Sequence, residues 1–151
     1  MRGSSTRSNS MTRNIVLLAA RILLAAIFIM AGLSKFGDGG QTAGMIANAG
    51  LPAASLLAFL AAVFETVAGL AILAGFQTRI VSFLLAAFCV FTGLVFHSGP
   101  IAIPDFPEGA NALLSTFNQI MMMKNMGLAG GFLALSQSGA GAWSVDERRG
   151  A

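Results

Sequence analysis

The chain has 151 residues, of which 56% are hydrophobic and 10% charged, with a formal net charge of +3. A soluble domain this short has too much surface for its volume to hide so many apolar side chains, and soluble domains carry about 25% charged residues. The basic residues sit at the ends of apolar runs and form no stripe interleaved with aromatics, which excludes a nucleic-acid interface. Cys89 is the single cysteine, so neither an internal disulfide nor a CxxC redox pair can form.

Residues 1–13 are Ser- and Arg-rich at first and are expected to form a disordered cytoplasmic tail. A bilayer core about 30 Å thick needs about 20 apolar residues in a helix. The first candidate runs from Ile15 to Leu33, broken only by Arg21. It is too long for a signal peptide and carries Arg21 inside, so it is expected to be retained. A polar connector from Gln41 to Asn48 has Met45 and Ile46 as the apolar side of a short interfacial helix.

The second candidate runs from Ala53 to Leu73, interrupted only by Glu65. A tight turn from Gly75 to Thr78 leads to a third, Ile80 to Phe96, with no charge. Pro104 and Pro107 make the stretch from Ile101 to Gly109 a loop. A fourth, amphipathic helix is expected from Ala110 to Leu135, with Lys124 and Asn125 at membrane depth. Trp143 stands where an interfacial aromatic belongs. The fold expected is therefore all-α: an integral membrane four-helix bundle over residues 14–143, with a cytoplasmic tail at 144–151. Arg2, Arg7, Arg13, Arg79, Arg148 and Arg149 share one side if both termini are cytoplasmic, against Lys35 and Lys124 on the other. That asymmetry follows the positive-inside rule.

Charged groups in hydrocarbon cost about 3 kcal/mol or more unless they turn inward to partners. At about 1.5 Å per residue, Arg21, Glu65 and Lys124 lie roughly 10, 15 and 20 Å above the cytoplasmic face. We expect a buried Arg21–Glu65 pair, with Lys124 and Asn125 as outer partners. These groups either fix helix register or form a ligand or proton site. Ala58, Ala61, Ala62, Ala68 and Gly69 make a small-residue stripe beside Glu65, suited to close helix approach. Gly127 and Gly131 give a GxxxG spacing in the fourth helix. At the outer face, Lys35 and His97 are further polar candidates. No ligand set is spaced for a metal, and one histidine excludes bis-histidine haem ligation. Met121, Met122, Met123 and Met126 read as gap-filling thioethers.

Several segments carry a family resemblance. They are Arg21-Ile-Leu-Leu-Ala through Gly32-Leu-Ser-Lys35-Phe, Ala49-Gly50-Leu51-Pro52, Phe64-Glu65-Thr66-Val67-Ala68-Gly69-Leu70, Gly75-Phe76-Gln77-Thr78-Arg79, Lys124-Asn125-Met126-Gly127-Leu128-Ala129-Gly130-Gly131 and Ser144-Val145-Asp146. In order and spacing they resemble the DoxX family of small four-helix bacterial membrane proteins, from about Arg21 to Asp146. Ala68 departs from the Gly-Gly that relatives often have before the position of Leu70. The resemblance implies residence in the bacterial inner membrane as a multi-pass protein. It also implies a role as a subunit of a quinone-linked membrane oxidoreductase assembly, as in thiosulfate:quinone oxidoreductase, with a protein partner or a homo-oligomer. Mycobacterial relatives are linked to thiol-oxidant defence complexes. The matched positions for such a site are Arg21, Glu65, Lys124 and Asn125. No intrinsic cofactor is implied, so a quinone or a partner subunit would carry the electrons. Two other classes compete: a non-catalytic anchor for a soluble enzyme, and a small-solute or proton transporter.

Overall fold

The computed structural model describes residues 3–150 and, for residues 3–9 and 39, the backbone alone. Arg2 and residue 151 of the expected tails lie outside the described residues, as does the side chain of Arg7. Among the described residues six helices follow in chain order: α1 (Gly3–Gly37), α2 (Gly39–Asn48), α3 (Ala54–Ala74), α4 (Thr78–His97), α5 (Glu108–Ser138) and α6 (Val145–Arg149). Three of them are long and apolar enough to cross a bilayer: α1 over Ser10–Gly37, α3 and α4.

Two boundaries differ from expectation. Helix α1 includes residues 3–13, which were expected to be a disordered tail. No proline or glycine interrupts the chain from Ser4 to Ala31, so nothing stops the helix at the membrane surface. The segment 144–151, expected as a plain tail, contains α6. There the Ser144 side chain accepts the Glu147 amide at 3.1 Å, a capping interaction whose sequence signature is Ser-x-x-Glu. The interfacial helix expected at 41–48 is present as α2, with Ile46 buried and Met45 exposed.

The long helices pack as two intimate antiparallel pairs, α1 with α3 and α4 with α5. Small residues set the first pair. A Cβ on Gly32 would stand 2.7 Å from the Thr66 amide nitrogen and 2.8 Å from the Ala62 carbonyl oxygen. One on Gly69 would meet the Ile29 nitrogen at 3.0 Å. The fourth-helix GxxxG does not act this way: Gly127 faces open space, and Gly131 has only ordinary contact with Leu24. Between the pairs lies a core that includes Ala25, Phe28, Ile72, Leu85, Cys89 and Phe132. The outer faces carry large exposed side chains, among them Leu23, Met30, Val67, Ile80, Phe83 and Leu94. An apolar belt of that extent suits acyl chains rather than water.

α3 and α4 are joined by the turn at Gly75–Gln77, yet they touch far less than either touches its own partner. The helices share a hinge point at one end, and a space remains between them toward the other. Arg13 donates to the Ser138 carbonyl and Asn14 accepts the Ala142 amide, so the beginning of the apolar span and the end of α5 lie together.

Candidate functional site

The expected Arg21–Glu65 pair does not form. Each charge has its own partners, at different levels of the bundle. The reason is the direction of the side chains: on a helix they lean toward its N-terminus. α1 and α3 are antiparallel, so Arg21 leans toward the end where the termini lie, and Glu65 toward the opposite end. Arg21 reaches the Ile72 carbonyl, seven residues along α3 from Glu65, a separation of about 10 Å.

Arg21 is 1% exposed and acts as a staple. Its guanidinium donates to the carbonyls of Ile72 (3.0 Å) and Leu73 (2.6 Å) at the end of α3. It also donates to Ala140 (3.2 Å) and Trp143 (3.3 Å) in the segment after α5. The last carbonyls of a helix lack intrahelical partners, and a cation there also answers the helix dipole. Gly75, at φ +69°, leaves the room: a Cβ would sit 2.8 Å from the guanidinium carbon. Asp146 completes the latch by accepting the amides of Gln77 (2.8 Å) and Thr78 (2.9 Å) at the start of α4. Burial alone would raise the Asp146 carboxyl, but the Thr78 and Gln77 amides and the Arg21 charge outweigh it and hold it below the usual carboxylate range. The Ser-Val-Asp segment is thus a structural clasp, which its sequence does not announce.

Glu65 instead pairs with Lys35, Nζ to Oε2 at 2.8 Å. Lys35 curls back along α1, also donating to the Ala31 carbonyl at 3.3 Å, and so brings its charge down to the carboxylate. The pair opens into a cavity of about 1090 Å³ in the half of the bundle remote from the termini. Five helices line it. Its walls include Phe28, Phe64, Phe88 and Phe91, with Phe64 and Phe88 in ring contact at 5.1 Å between centroids. Leu60 of α3 and Leu84 of α4, about half exposed, stand at its lips.

Lys124 and Asn125 both line this cavity, as do Lys35 and His97, the outer-face candidates. Lys124 acts on Glu65 through its charge, but neither it nor Asn125 bonds to that carboxylate among the described residues. Asn125 is 9% exposed and its side chain makes no hydrogen bond among the described residues, leaving its amide to the cavity. His97 Nδ1 lies 2.7 Å from Asn118 Oδ1. Thr92 lines the wall below it. The sequence named five of these polar groups; what it could not supply was their partners. Among the described residues no cluster of His, Cys, Asp or Glu could hold a metal ion. Met122 and Met126 pack over Gly93 and fill a gap.

An apolar chamber with aromatic walls, a paired carboxylate, a cation and an unpartnered amide has the room and the polar groups that an amphipathic ligand would need. Comparison with known proteins agrees with the fold. The chain is 38% identical over 133 residues to the inner membrane protein YqjF of Escherichia coli K12, covering 88% of this chain and 91% of that one. It is 33% identical over 141 residues to the inner membrane protein YphA of the same organism, covering 90% and 91%. No solved structure matches it significantly. The DoxX family matches residues 16–98, and with these relatives and three apolar spans the chain is a multi-pass bacterial inner-membrane protein that belongs to the DoxX family.

Proposed function

We propose that the chain is the membrane subunit of a quinone-linked oxidoreductase assembly and that its cavity receives the quinone. The carrying observation is the convergence of Lys35–Glu65, Lys124 and the unpartnered Asn125 on one aromatic-walled chamber. A quinone has two carbonyl acceptors on a flat ring and an apolar tail. The Asn125 amide and the Lys124 ammonium are donors for a carbonyl oxygen. The phenylalanine rings suit the flat face, and the gap between α3 and α4 gives the tail a way to lipid. The quinone, when bound, supplies two-electron carrier chemistry, with the electrons passing to or from a partner subunit. Glu65 is the group that holds or yields a proton, with Lys35 fixing its position.

In this reading α5 is the fourth crossing. Its 31 residues span about 46 Å, and Glu108 and Lys124 are its only charges. Leu113, Phe117, Ile120, Met123 and Leu133 are exposed for lipid, while Lys124 and Asn125 face the cavity. Both termini are cytoplasmic: Arg13 and Arg79 gather at the end of the bundle where α5 finishes, together with Arg148 and Arg149 of α6.

Purification in mild detergent, followed by mass spectrometry of bound lipids and quinones, tests the reading. Retained quinone is expected in the wild type, with clear depletion in a folded Glu65→Gln variant. If no quinone is retained and partner activity survives Glu65→Gln, the chain is an anchor for its partner. Solute flux through liposomes holding this protein alone would make it a transporter.

A further inference from the structure

We infer that Glu65 exchanges protons with the face of the membrane opposite the termini, and that His97 is the relay at the mouth of that route. Two observations carry this. First, the interior is sealed on the terminal side of Glu65: Ala25, Ile72, Leu85 and Phe132 are all 0% exposed. Beyond them Arg21 and the carbonyls it binds close the end of the bundle. On the other side Glu65 opens into the cavity, which continues past Thr92 to His97.

Second, the histidine is held in one tautomer. The Asn118 amide nitrogen donates to the Gly99 carbonyl at 2.8 Å, which leaves its Oδ1 as the acceptor facing His97. Nδ1 therefore carries the hydrogen, and Nε2 holds a free lone pair. His97 is the last residue of α4. The relay is balanced. Glu65 gives its proton to cavity water, Nε2 of His97 takes one from water, and the imidazolium returns it to water outside. The ring is unchanged after each transfer. Reckoned from the turn joining α3 and α4, Glu65 and His97 stand about 15 and 28 Å up the bundle, so water must bridge the interval. The other charged or titratable groups bordering the cavity are Lys35 of α1, Asp38 between α1 and α2, Cys89 of α4 and Lys124 of α5. α2 contributes none, Asp105 lies in the exposed loop that follows His97, and Glu108 is the exposed first residue of α5.

The inference deepens the quinone reading by giving it a proton route, and it rests on Glu65 being the acid–base group of that site. The test uses the full-length protein without added quinone, so failure of quinone binding and failure of the relay are separate results. Infrared spectroscopy follows deuterium exchange at the Glu65 carboxyl, its band assigned by loss in Glu65→Gln. His97→Asn keeps a donor toward Asn118 but cannot relay, and is expected to slow exchange about a hundredfold. His97→Ala should slow it equally and recover with added imidazole, which a packing defect would not. In a second arm, Thr92→Cys in a Cys89→Ser background is treated with an impermeant maleimide in vesicles of known orientation. Labelling is expected from the face opposite the termini. The inference is overturned by an unchanged exchange rate, by no rescue with imidazole, by the absence of any Glu65 band, or by labelling from the terminal face or from neither.

Discussion

Replacing Arg21 with methionine keeps an unbranched apolar stem and removes the guanidinium that ties α1, α3 and the segment after α5 together. Two of its four bonds, at 2.6 and 3.0 Å, are short charge-assisted contacts, and two, at 3.2 and 3.3 Å, are long. Charge-assisted bonds contribute about 1.5–3 kcal/mol each, so the short pair alone is worth about 3–6 kcal/mol. Within membranes, polar contacts average about 0.6 kcal/mol, and four of them give about 2.4 kcal/mol. The Ile72 carbonyl keeps the Gly75 amide as a partner at 3.1 Å, which moderates the loss. We expect Arg21→Met to cost about 3 kcal/mol in detergent unfolding and to expose the arginines of α6 to trypsin earlier. Crossed with Glu65→Gln, it should add within about 0.5 kcal/mol, as sites about 10 Å apart do. Lys35→Met crossed with Glu65→Gln should instead couple by about 1 kcal/mol or more. A cost for Arg21→Met below about 1 kcal/mol, or stronger coupling of Glu65 to Arg21 than to Lys35, would refute the division into two clusters.

Gly32→Ala forces a Cβ onto the backbone of α3 and is expected to cost about 1–3 kcal/mol by thermal unfolding. Gly127→Ala, facing open space, should be neutral or stabilise by up to about 1 kcal/mol through helix propensity. Asn125→Leu removes an amide with no partner among the described residues, so stability should hold or rise while retained quinone falls several-fold by mass spectrometry. The low-lying Asp146 carboxyl makes the clasp acid-sensitive. Its contribution is complete above the ordinary aspartate value of about 3.9 and is lost as pH falls through the lower folded value. Release of the C-terminal segment, followed by the fluorescence of Trp143, should therefore appear only in strong acid, and Asp146→Asn should show it already at neutral pH.

The helices were legible because hydrocarbon demands long apolar runs, and α1, α3 and α4 supply them. The polar groups of the cavity were legible for the same reason: Glu65, Lys124 and Asn125 interrupt otherwise greasy segments. Their pairing was not. Depth along a helix places Cα atoms, but Arg21 and Lys35 have reach enough to move a charge by most of a helical turn, in a direction set by the helix they stand on. Treating Arg21 and Glu65 as neighbours in depth ignored that they lean apart. The Asp146 clasp was hidden differently. Its partners are backbone amides at the start of α4, and a sequence pattern does not show which distant carboxylate will cap a helix.

The two clusters divide the labour that either reading of the charges assigned to one. Arg21 spends four of its five N–H donors on backbone carbonyls at the end of α3 and after α5, and lies on the terminal side of the fully buried Ile72 and Phe132. It is a register and closure device. Glu65 and Lys35 form a pair that opens onto the cavity, beside a cation and an amide that make no hydrogen bond among the described residues. A buried charged group left half-solvated is costly in hydrocarbon unless something polar enters beside it. The structural device makes the asymmetry possible: by locking one end of all four long helices, it lets α3 and α4 part at the other without loss of the bundle.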